Sequence, residues 1–309
     1  MFAYPLRVAA VFAAALLCLA LFATRALANA KVCRSLEQGY EQIERGADSI
    51  EINATLFSAA DKGCEDLARR LLDKGASLDA RDRLGARPLA RAAMAGERDL
   101  VALFLDKGAP IDGQNIEGST ALFQAAEQGR LPIVQLLLEH GANIGLPGRN
   151  GITPLSAAAY MGSVPIVQLL IEKGADLKAS DRTEKAAIIY AAGRGFPAVV
   201  RLLLDNGVDV NTRYGNELTA LMWAAGYSEE AGVNDVTEVM TLFLDRGARV
   251  DDQDNRGRTA LMIAAELNHA AAVDLLLARG ADKTLKDKQG KTAGDLTSLT
   301  ALREKLAGR

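Results

Sequence analysis

The sequence predicts an all-α repeat solenoid, a protein built from stacked helix pairs, and three observations lead to this prediction. A Gly-Ala type of dipeptide returns at a fixed distance along the chain. A Leu or Ile returns in the same register. Ala and Leu are abundant, whereas aromatic residues make up only 5% of the 309 residues, and this composition suits short, closely packed helices better than a β-sandwich or barrel.

Seven copies of the dipeptide lie in one register, and the steps between them are 33 residues long except for one step of 40, from Gly207 to Gly247. The seven copies are Gly75-Ala76, Gly108-Ala109, Gly141-Ala142, Gly174-Ala175, Gly207-Val208, Gly247-Ala248 and Gly280-Ala281. The apolar marker keeps this spacing at Leu56, Leu89, Leu122, Leu155, Ile188, Leu221 and Leu261. Two independent markers in one register indicate a single structural unit that is repeated along the chain.

The fourth unit shows what each part of the repeat does. Thr153 is a good N-cap, and Pro154 fits the first turn of the helix that follows. Alanines at 157–159 allow neighbouring helices to approach closely, and Gly162 ends this first helix at a tight turn. Apolar residues at helical spacing over 166–171 then predict a second helix with a buried face.

Together these features resemble the ankyrin repeat, whose Thr-Pro-Leu-His opening, paired alanines, Leu-Leu-Leu run and Gly-Ala-Asp ending are specific when found together. The resemblance implies seven full repeats over residues 53–287, an N-terminal capping segment over 31–52 and a C-terminal capping repeat over 288–309. The family's opening His is absent from every repeat, which removes a local hydrogen bond but leaves the packing pattern intact. The resemblance further implies a protein that binds a protein partner, without catalysis and as a monomer.

The first thirty residues have the pattern of a secretory signal peptide. Arg7 precedes an apolar run over 8–22, and Ala28 and Ala30 form an A-x-A cleavage site before Lys31. The run is shorter than the roughly 20 residues of a membrane span, although an uncleaved anchor is the alternative interpretation. We therefore expect an exported bacterial protein without a membrane segment after cleavage, periplasmic in the first place and secreted in the second.

The charge of the chain excludes one class of function. The formal net charge is −3, and removal of Arg7 and Arg25 with the signal peptide makes it −5. Nucleic-acid binding depends on neutralising phosphates with Lys and Arg, so a mildly acidic chain has no general attraction to nucleic acid.

The cysteines fit an oxidising compartment. Cys18 lies in the signal peptide and lacks the small preceding residue of a lipidation site, so Cys33 and Cys64 remain as an even pair. We expect a disulfide between them, because the repeat fold places both near its N-terminal end; two independent, half-buried thiols are the alternative.

Several short motifs imitate catalytic or ligand sites but lack the surroundings that the chemistry needs. Residues 193–198 match a G-x-G-x-x-A fingerprint without a preceding strand, and Gly290 begins a P-loop-like tripeptide whose earlier glycine is replaced by Leu285. Residues 252–257 imitate the start of a calcium loop, but Arg256 falls at a ligand position, so we interpret them as a solvated hairpin tip.

The chain has only two histidines, and both have structural explanations. His140 lies at the end of a second helix, where a cation suits the helix dipole, and His269 opens another second helix after Asn268. Neither histidine has the partners of a metal site or of a nucleophilic dyad at matching repeat positions. We therefore predict no enzyme activity, no metal site and no cofactor.

A partner would lie in the concave groove that the family builds from hairpins and first helices, here over repeats two to six. Exposed apolar, aromatic and Arg side chains supply most binding energy at interfaces. The predicted contact residues are Met94, Tyr160, Met161, Arg194, Tyr214, Trp223 and Tyr227. The alternative is that Met, Tyr and Trp only fill gaps between repeats, whereas Tyr214 is an aromatic at a hairpin tip with no obvious core to join.

The step of 40 residues places an insertion in the sixth repeat, around 227–234, in the turn between its two helices. An irregular insertion of this kind marks either a specific surface or a tolerated loop. The functional hypothesis is an adaptor in the cell envelope. The alternatives are a regulator or protector of a periplasmic enzyme, and a secreted effector that binds a host protein.

Overall fold

The computed structural model describes residues 29–226 and 232–308, which are mostly helical with little strand, as predicted. The chain divides into two compact parts between Ile116 and Glu117. The N-terminal part contains α1 (29–43), α2 (Ser49–Lys62), α3 (Glu65–Asp73), α4 (Pro88–Ala95) and α5 (Arg98–Asp106). The C-terminal part contains α6 (Ala121–Glu127), α7 (Leu131–Glu139), α8 (Pro154–Tyr160), α9 (Val164–Glu172), α10 (Ala187–Gly193), α11 (Pro197–Asp205), α12 (Ala220–Ala225), α13 (Val233–Asp245), α14 (Ala260–Glu266), α15 (Ala270–Ala278), α16 (Ala293–Leu296) and α17 (Thr300–Ala307).

The helices of the C-terminal part pack in two rows. The first helices of the repeats, which are α6, α8, α10, α12 and α14, pack side by side, and α16 extends their row. The second helices α7, α9, α11, α13 and α15 form the other row, and each packs on its own first helix. In the N-terminal part, α2 packs on α4 and α3 packs on α5 in the same way.

The core lies between the two rows and is built from the residues that repeat. Each of the seven marker Leu or Ile side chains is no more than 2% exposed. The paired alanines, for example Ala158 and Ala159, are fully buried, because small side chains let adjacent first helices approach. Along the second helices, Val167 and Leu170 bury the apolar stripe that the sequence predicts.

The helix ends follow from local chemistry. The hydroxyl of Thr153 accepts a hydrogen bond from the Ser156 N–H at 3.1 Å, and Thr120, Thr219 and Thr259 cap their helices in the same way. Beyond α8, Gly162 adopts a left-handed φ of 68° that most residues avoid.

Short hairpins connect the repeats, and in two of the described hairpins a buried Asp accepts hydrogen bonds from the turn. Asp181 and Asp254 are only 8% and 6% exposed, and each accepts hydrogen bonds from backbone N–H groups two and four residues further on. Residues 253, 255 and 256 of this hairpin are exposed, as expected of a solvated tip, but Asp254 is buried, where its carboxylate stabilises its own turn and pairs with Arg258. One hairpin forms a short antiparallel pair, β1 (Arg213–Tyr214) with β2 (Leu218–Thr219).

Helix α1 covers the end of the N-terminal part. A disulfide joins Cys33 in α1 to Cys64 at the N-cap of α3, with the Cα atoms 5.3 Å apart. The guanidinium group of Arg70 lies over the buried ring of Tyr40 at 5.6 Å and pairs with Glu44 at 3.1 Å. This ion pair raises the pKa of Arg70 and lowers that of Glu44.

The insertion in the sixth repeat is only partly a turn. Residues 227–231 lie outside the described ranges, but α13 begins at Val233 and is 13 residues long, whereas the other second helices have nine. Our placement of the whole insertion in the turn was wrong, because its last residues add a turn to the N-terminus of α13. Val236, in this added turn, is fully buried.

Most of the predicted signal peptide lies outside the described residues, and the predicted cleavage point between Ala30 and Lys31 lies in α1. Among the residues that the structure describes, no helix is both long and apolar enough to cross a bilayer.

Candidate functional site

Aromatic and cationic side chains gather on the first helices of the C-terminal part. We call this group the ring cluster; it contains Tyr160 of α8, Lys185, Tyr190 of α10, Arg194, Phe196 and Trp223 of α12. The cluster therefore connects three consecutive repeats, and it includes three of the predicted contact residues.

One end of the cluster is exposed. Tyr160 is 41% exposed and the neighbouring Met161 is 48% exposed, although both carry large apolar surfaces. The guanidinium group of Arg194 lies over the Tyr160 ring at 4.8 Å and over the Phe196 ring at 5.9 Å. Such cation–π contacts hold Arg194 in place at this surface.

The other end of the cluster is half-buried. Tyr190 meets Tyr160 edge to face, with ring centroids 6.0 Å apart and planes at 86°. The ammonium group of Lys185 lies 5.7 Å from the centre of the Tyr190 ring and 5.2 Å from that of Trp223. Lys185 is thus held between two rings that occupy equivalent positions in adjacent repeats.

The buried carboxylate of Asp181 holds the Tyr190 side chain in place through a hydrogen bond. The Tyr190 hydroxyl donates a short hydrogen bond to Asp181, which also accepts from the hydroxyl and N–H of Thr183 and from the N–H of Lys185. Burial opposes ionisation of Asp181, but the hydrogen bonds from Tyr190, Lys185 and Thr183 outweigh it and lower its pKa. Burial and the bond to Asp181 raise the pKa of Tyr190 far above its usual value, so the hydroxyl stays protonated.

Trp223 carries an unusual polar atom. Its Nε1 is buried and has no hydrogen-bond partner in the part of the chain that the structure describes. A buried N–H without an acceptor costs free energy of about 1–3 kcal/mol, so Trp223 is not optimal for packing alone.

The remaining predicted contact residues have different surroundings. Met94 lies at the end of α4 in the N-terminal part and is half-buried. Tyr227 lies outside the described residues. Trp223 is half-buried under Lys185.

We expected Tyr214 to be an aromatic at a hairpin tip with no core to join, and this expectation was wrong. Its ring is half-buried beside a surface cavity of about 550 Å³ that Asp176, Lys178 and Asp209 also line. Burial raises the pKa of Tyr214 to about 12. The cavity beside the ring is lined by the loops that follow α9 and α11.

Lys185 and Phe196 were not predicted from the sequence, and Leu267 was expected to face the groove but was not among the predicted contact residues. Leu267 follows α14 and is 48% exposed, at the repeat position that Arg194 holds after α10. The recurrence of an aromatic residue at Tyr190 and Trp223, 33 residues apart, was a signal that two rings lie in adjacent repeats, but it did not indicate the place of Lys185.

Comparison with known proteins establishes the family. A family model for ankyrin repeats, described as three copies, matches residues 56–148, 89–181, 140–214 and 188–287, together well over half of the chain. The chain belongs to the ankyrin-repeat family. Its fold is the helical ankyrin-repeat solenoid that the 33-residue spacing predicted.

A solved ankyrin-repeat structure agrees with this assignment. The chain is similar to the ankyrin repeat domain of human ASB11, with a TM-score of 0.64 and 26% sequence identity over 72% of this chain and 97% of that chain. Ankyrin-repeat domains generally mediate protein–protein interaction and are typically non-catalytic scaffolds.

Proposed function

We propose that this ankyrin-repeat chain is an exported adaptor that binds a protein partner through the first-helix surface of its C-terminal part. The observation that carries the proposal is the exposure of Tyr160 and Met161 beside the ring cluster. Large apolar side chains that stay exposed in a soluble fold, next to an Arg held on aromatic rings, are the usual centre of a binding surface.

The chemistry of the surface supports affinity rather than catalysis. Its buried carboxylate, Asp181, already accepts hydrogen bonds from Tyr190, from Thr183 and from the backbone N–H of Lys185, and these bonds suit it to holding the hairpin rather than to proton transfer. Met94 and Tyr227 remain candidate contacts, and Tyr214 is a secondary one at the edge of its cavity.

Export is part of the proposal and is supported by the signal-peptide pattern over 1–30 and by the disulfide between Cys33 and Cys64. We propose the periplasm as the compartment. A regulator of an exported enzyme, or a secreted effector, would use the same binding surface on a different partner.

The test is in vivo crosslinking of the tagged chain in its own cell, followed by purification and mass spectrometry. The double substitution Tyr160→Ser and Met161→Ser should abolish capture of one exported protein. Leu299→Ser is the matched control, because Leu299 is 46% exposed but follows α16 instead of lying in the ring cluster.

A partner captured equally by all three proteins would show that contact occurs elsewhere. Loss of capture in the Leu299→Ser control as well would indicate a general loss of stability, so circular dichroism of each variant accompanies the experiment. Enzyme assays of the captured partner, with and without the chain, distinguish a regulator from an adaptor.

A further inference from the structure

Lys185 has an unusual environment for a surface lysine. It is half-buried between the rings of Tyr190 and Trp223, and it makes no ion pair with any residue in 29–226 or 232–308. Rings attract the ammonium group but do not neutralise it. A half-buried cation of this kind therefore gains free energy when a ligand supplies an anion.

The buried carboxylate of Asp181, beneath the same hairpin, does not neutralise Lys185. Asp181 already accepts hydrogen bonds from Tyr190, Thr183 and the backbone N–H of Lys185, and its carboxylate makes no ion pair with the Lys185 ammonium group. Among residues 29–226 and 232–308, the charge of the Lys185 ammonium group is therefore met by two rings and by no carboxylate.

The surroundings of Lys185 define what would flank such an anion. Tyr160 and Met161 on one side, and Leu267 further along the row of first helices, are exposed apolar side chains. Arg194, held over Tyr160, adds a second cation at this surface. The whole chain carries a net charge of −3, so the positive character here is local.

We propose that the ring cluster binds an acidic peptide segment of the partner, with an Asp or Glu carboxylate on the ammonium group of Lys185 and apolar neighbours against Tyr160, Met161 and the Trp223 ring. This inference rests on the proposed function, because it names the partner's chemistry at the same surface. Charge complementarity favours a carboxylate, and the exposed apolar side chains on either side of Lys185 favour a peptide over a free anion.

The experiment begins with selection from a random twelve-residue peptide library on the immobilised chain. Peptides that bind the chain and its Leu299→Ser variant, but not the Tyr160→Ser, Met161→Ser double variant, are specific to the surface. We expect these peptides to be enriched in Asp or Glu next to Leu, Ile or Phe.

The tightest selected peptide and its counterpart with Asn and Gln in place of Asp and Glu are then titrated against the chain. Trp223 is the only tryptophan in the chain, so its fluorescence reports binding at the site itself. We expect the amide peptide to bind about tenfold more weakly. Lys185→Gln should lose the same factor for the acidic peptide and remove the difference between the two peptides.

Two controls keep folding and general charge apart from the proposed contact. Lys185→Arg retains the cation and should restore most of the affinity, whereas Lys173→Gln, at the C-cap of α9, removes a lysine away from the cluster and should have no effect. Surface-specific peptides that are neutral or basic, or an acid preference that survives Lys185→Gln, would overturn this inference. Absence of any surface-specific peptide would instead contradict the proposed function itself.

Discussion

Gly162 shows at the scale of a residue how tightly the proposed binding surface is packed. Its φ of 68° is left-handed, and a Cβ at this position would lie 2.8 Å from the ring of Phe196. The guanidinium group of Arg194 lies over that ring. Gly129 has the same φ of 68° at the equivalent turn of the preceding repeat, but nothing lies within 4 Å of its added Cβ. An alanine at Gly129 would suffer backbone strain alone, whereas an alanine at Gly162 would also contact the Phe196 ring, so the pair distinguishes the two effects.

We expect Gly129→Ala to lower the free energy of unfolding by about 1 kcal/mol, the usual cost of a left-handed alanine. Gly162→Ala should cost roughly 2–4 kcal/mol, because it also displaces Phe196 from a packed surface. Urea unfolding of both variants measures the difference. Equal losses would show that Phe196 moves aside without cost.

Tyr214 gives a second prediction at this scale, because burial raises its pKa to about 12 in the folded chain from a usual value of 10. The fold thus binds the phenol proton more tightly than the unfolded chain does. The resulting stabilisation is fully present below pH 10 and is lost as the pH rises towards 12.

Tyr214→Phe should remove this alkaline loss, which we expect to be roughly 1–2 kcal/mol after allowance for solvent screening of a half-buried ring. Unfolding of both proteins between pH 9 and pH 12 provides the measurement. Tyr190, whose pKa is also raised, is present in both proteins and cancels from their difference. Parallel pH curves for the two proteins would contradict the prediction.

At the scale of an element, the sixth repeat tests whether its insertion is structural. Val236 lies in the added turn of α13 and is fully buried, whereas Glu238 in the same helix is exposed and makes only a long ion pair with Arg201 at 3.8 Å. We expect Val236→Ala to lower the free energy of unfolding by roughly 2 kcal/mol, from lost burial and the cavity left behind. Glu238→Ala is the control and should stay within about 0.5 kcal/mol of the parent. A neutral Val236→Ala would mean that the added turn is only a tolerated extension.

The disulfide is the other prediction at this scale, because it ties α1 to the first repeat. Cys33 and Cys64 are 31 residues apart, and a closed loop of that length stabilises a fold by about 3–4 kcal/mol in the chain-entropy account. We expect reduction, or the double substitution Cys33→Ser and Cys64→Ser, to lower stability by this amount. Thiol counting before and after reduction, followed by urea unfolding, checks both points. Two free thiols in the chain recovered from its compartment would exclude the bond.

For the whole molecule, the first prediction concerns export. We expect the chain from the cell envelope to begin at Lys31, with a mass that lacks residues 1–30. Intact mass and N-terminal sequencing of the tagged chain provide the measurement. A chain that keeps its first thirty residues and stays with the membrane fraction would support the uncleaved anchor.

The sequence by itself determined the fold, because a solenoid repeats local interactions. The N-cap at Thr153, the alanines after Leu155 and the break at Gly162 all act within one repeat and its neighbour, and therefore remain visible as a 33-residue period. The same locality made the hairpin tips partly predictable, although it did not show that Asp254 is buried and closes its own turn.

Only the tertiary structure decided the site. Lys185 and Tyr190 lie in one repeat and Trp223 in the next, and the contact of Lys185 with both rings depends on how one first helix packs on the next. The exposure of individual side chains could not be predicted from the sequence either. Tyr160 and Tyr214 are both aromatic residues outside the repeat consensus, yet Tyr160 is exposed and Tyr214 is half-buried beside a cavity. The 33-residue pattern shows which residues form helices and which face the core. The environment of side chains outside this pattern depends on their contacts with neighbouring repeats. For that reason the sequence predicted the ankyrin scaffold, whereas the arrangement of cations on rings became apparent only once the helices were packed.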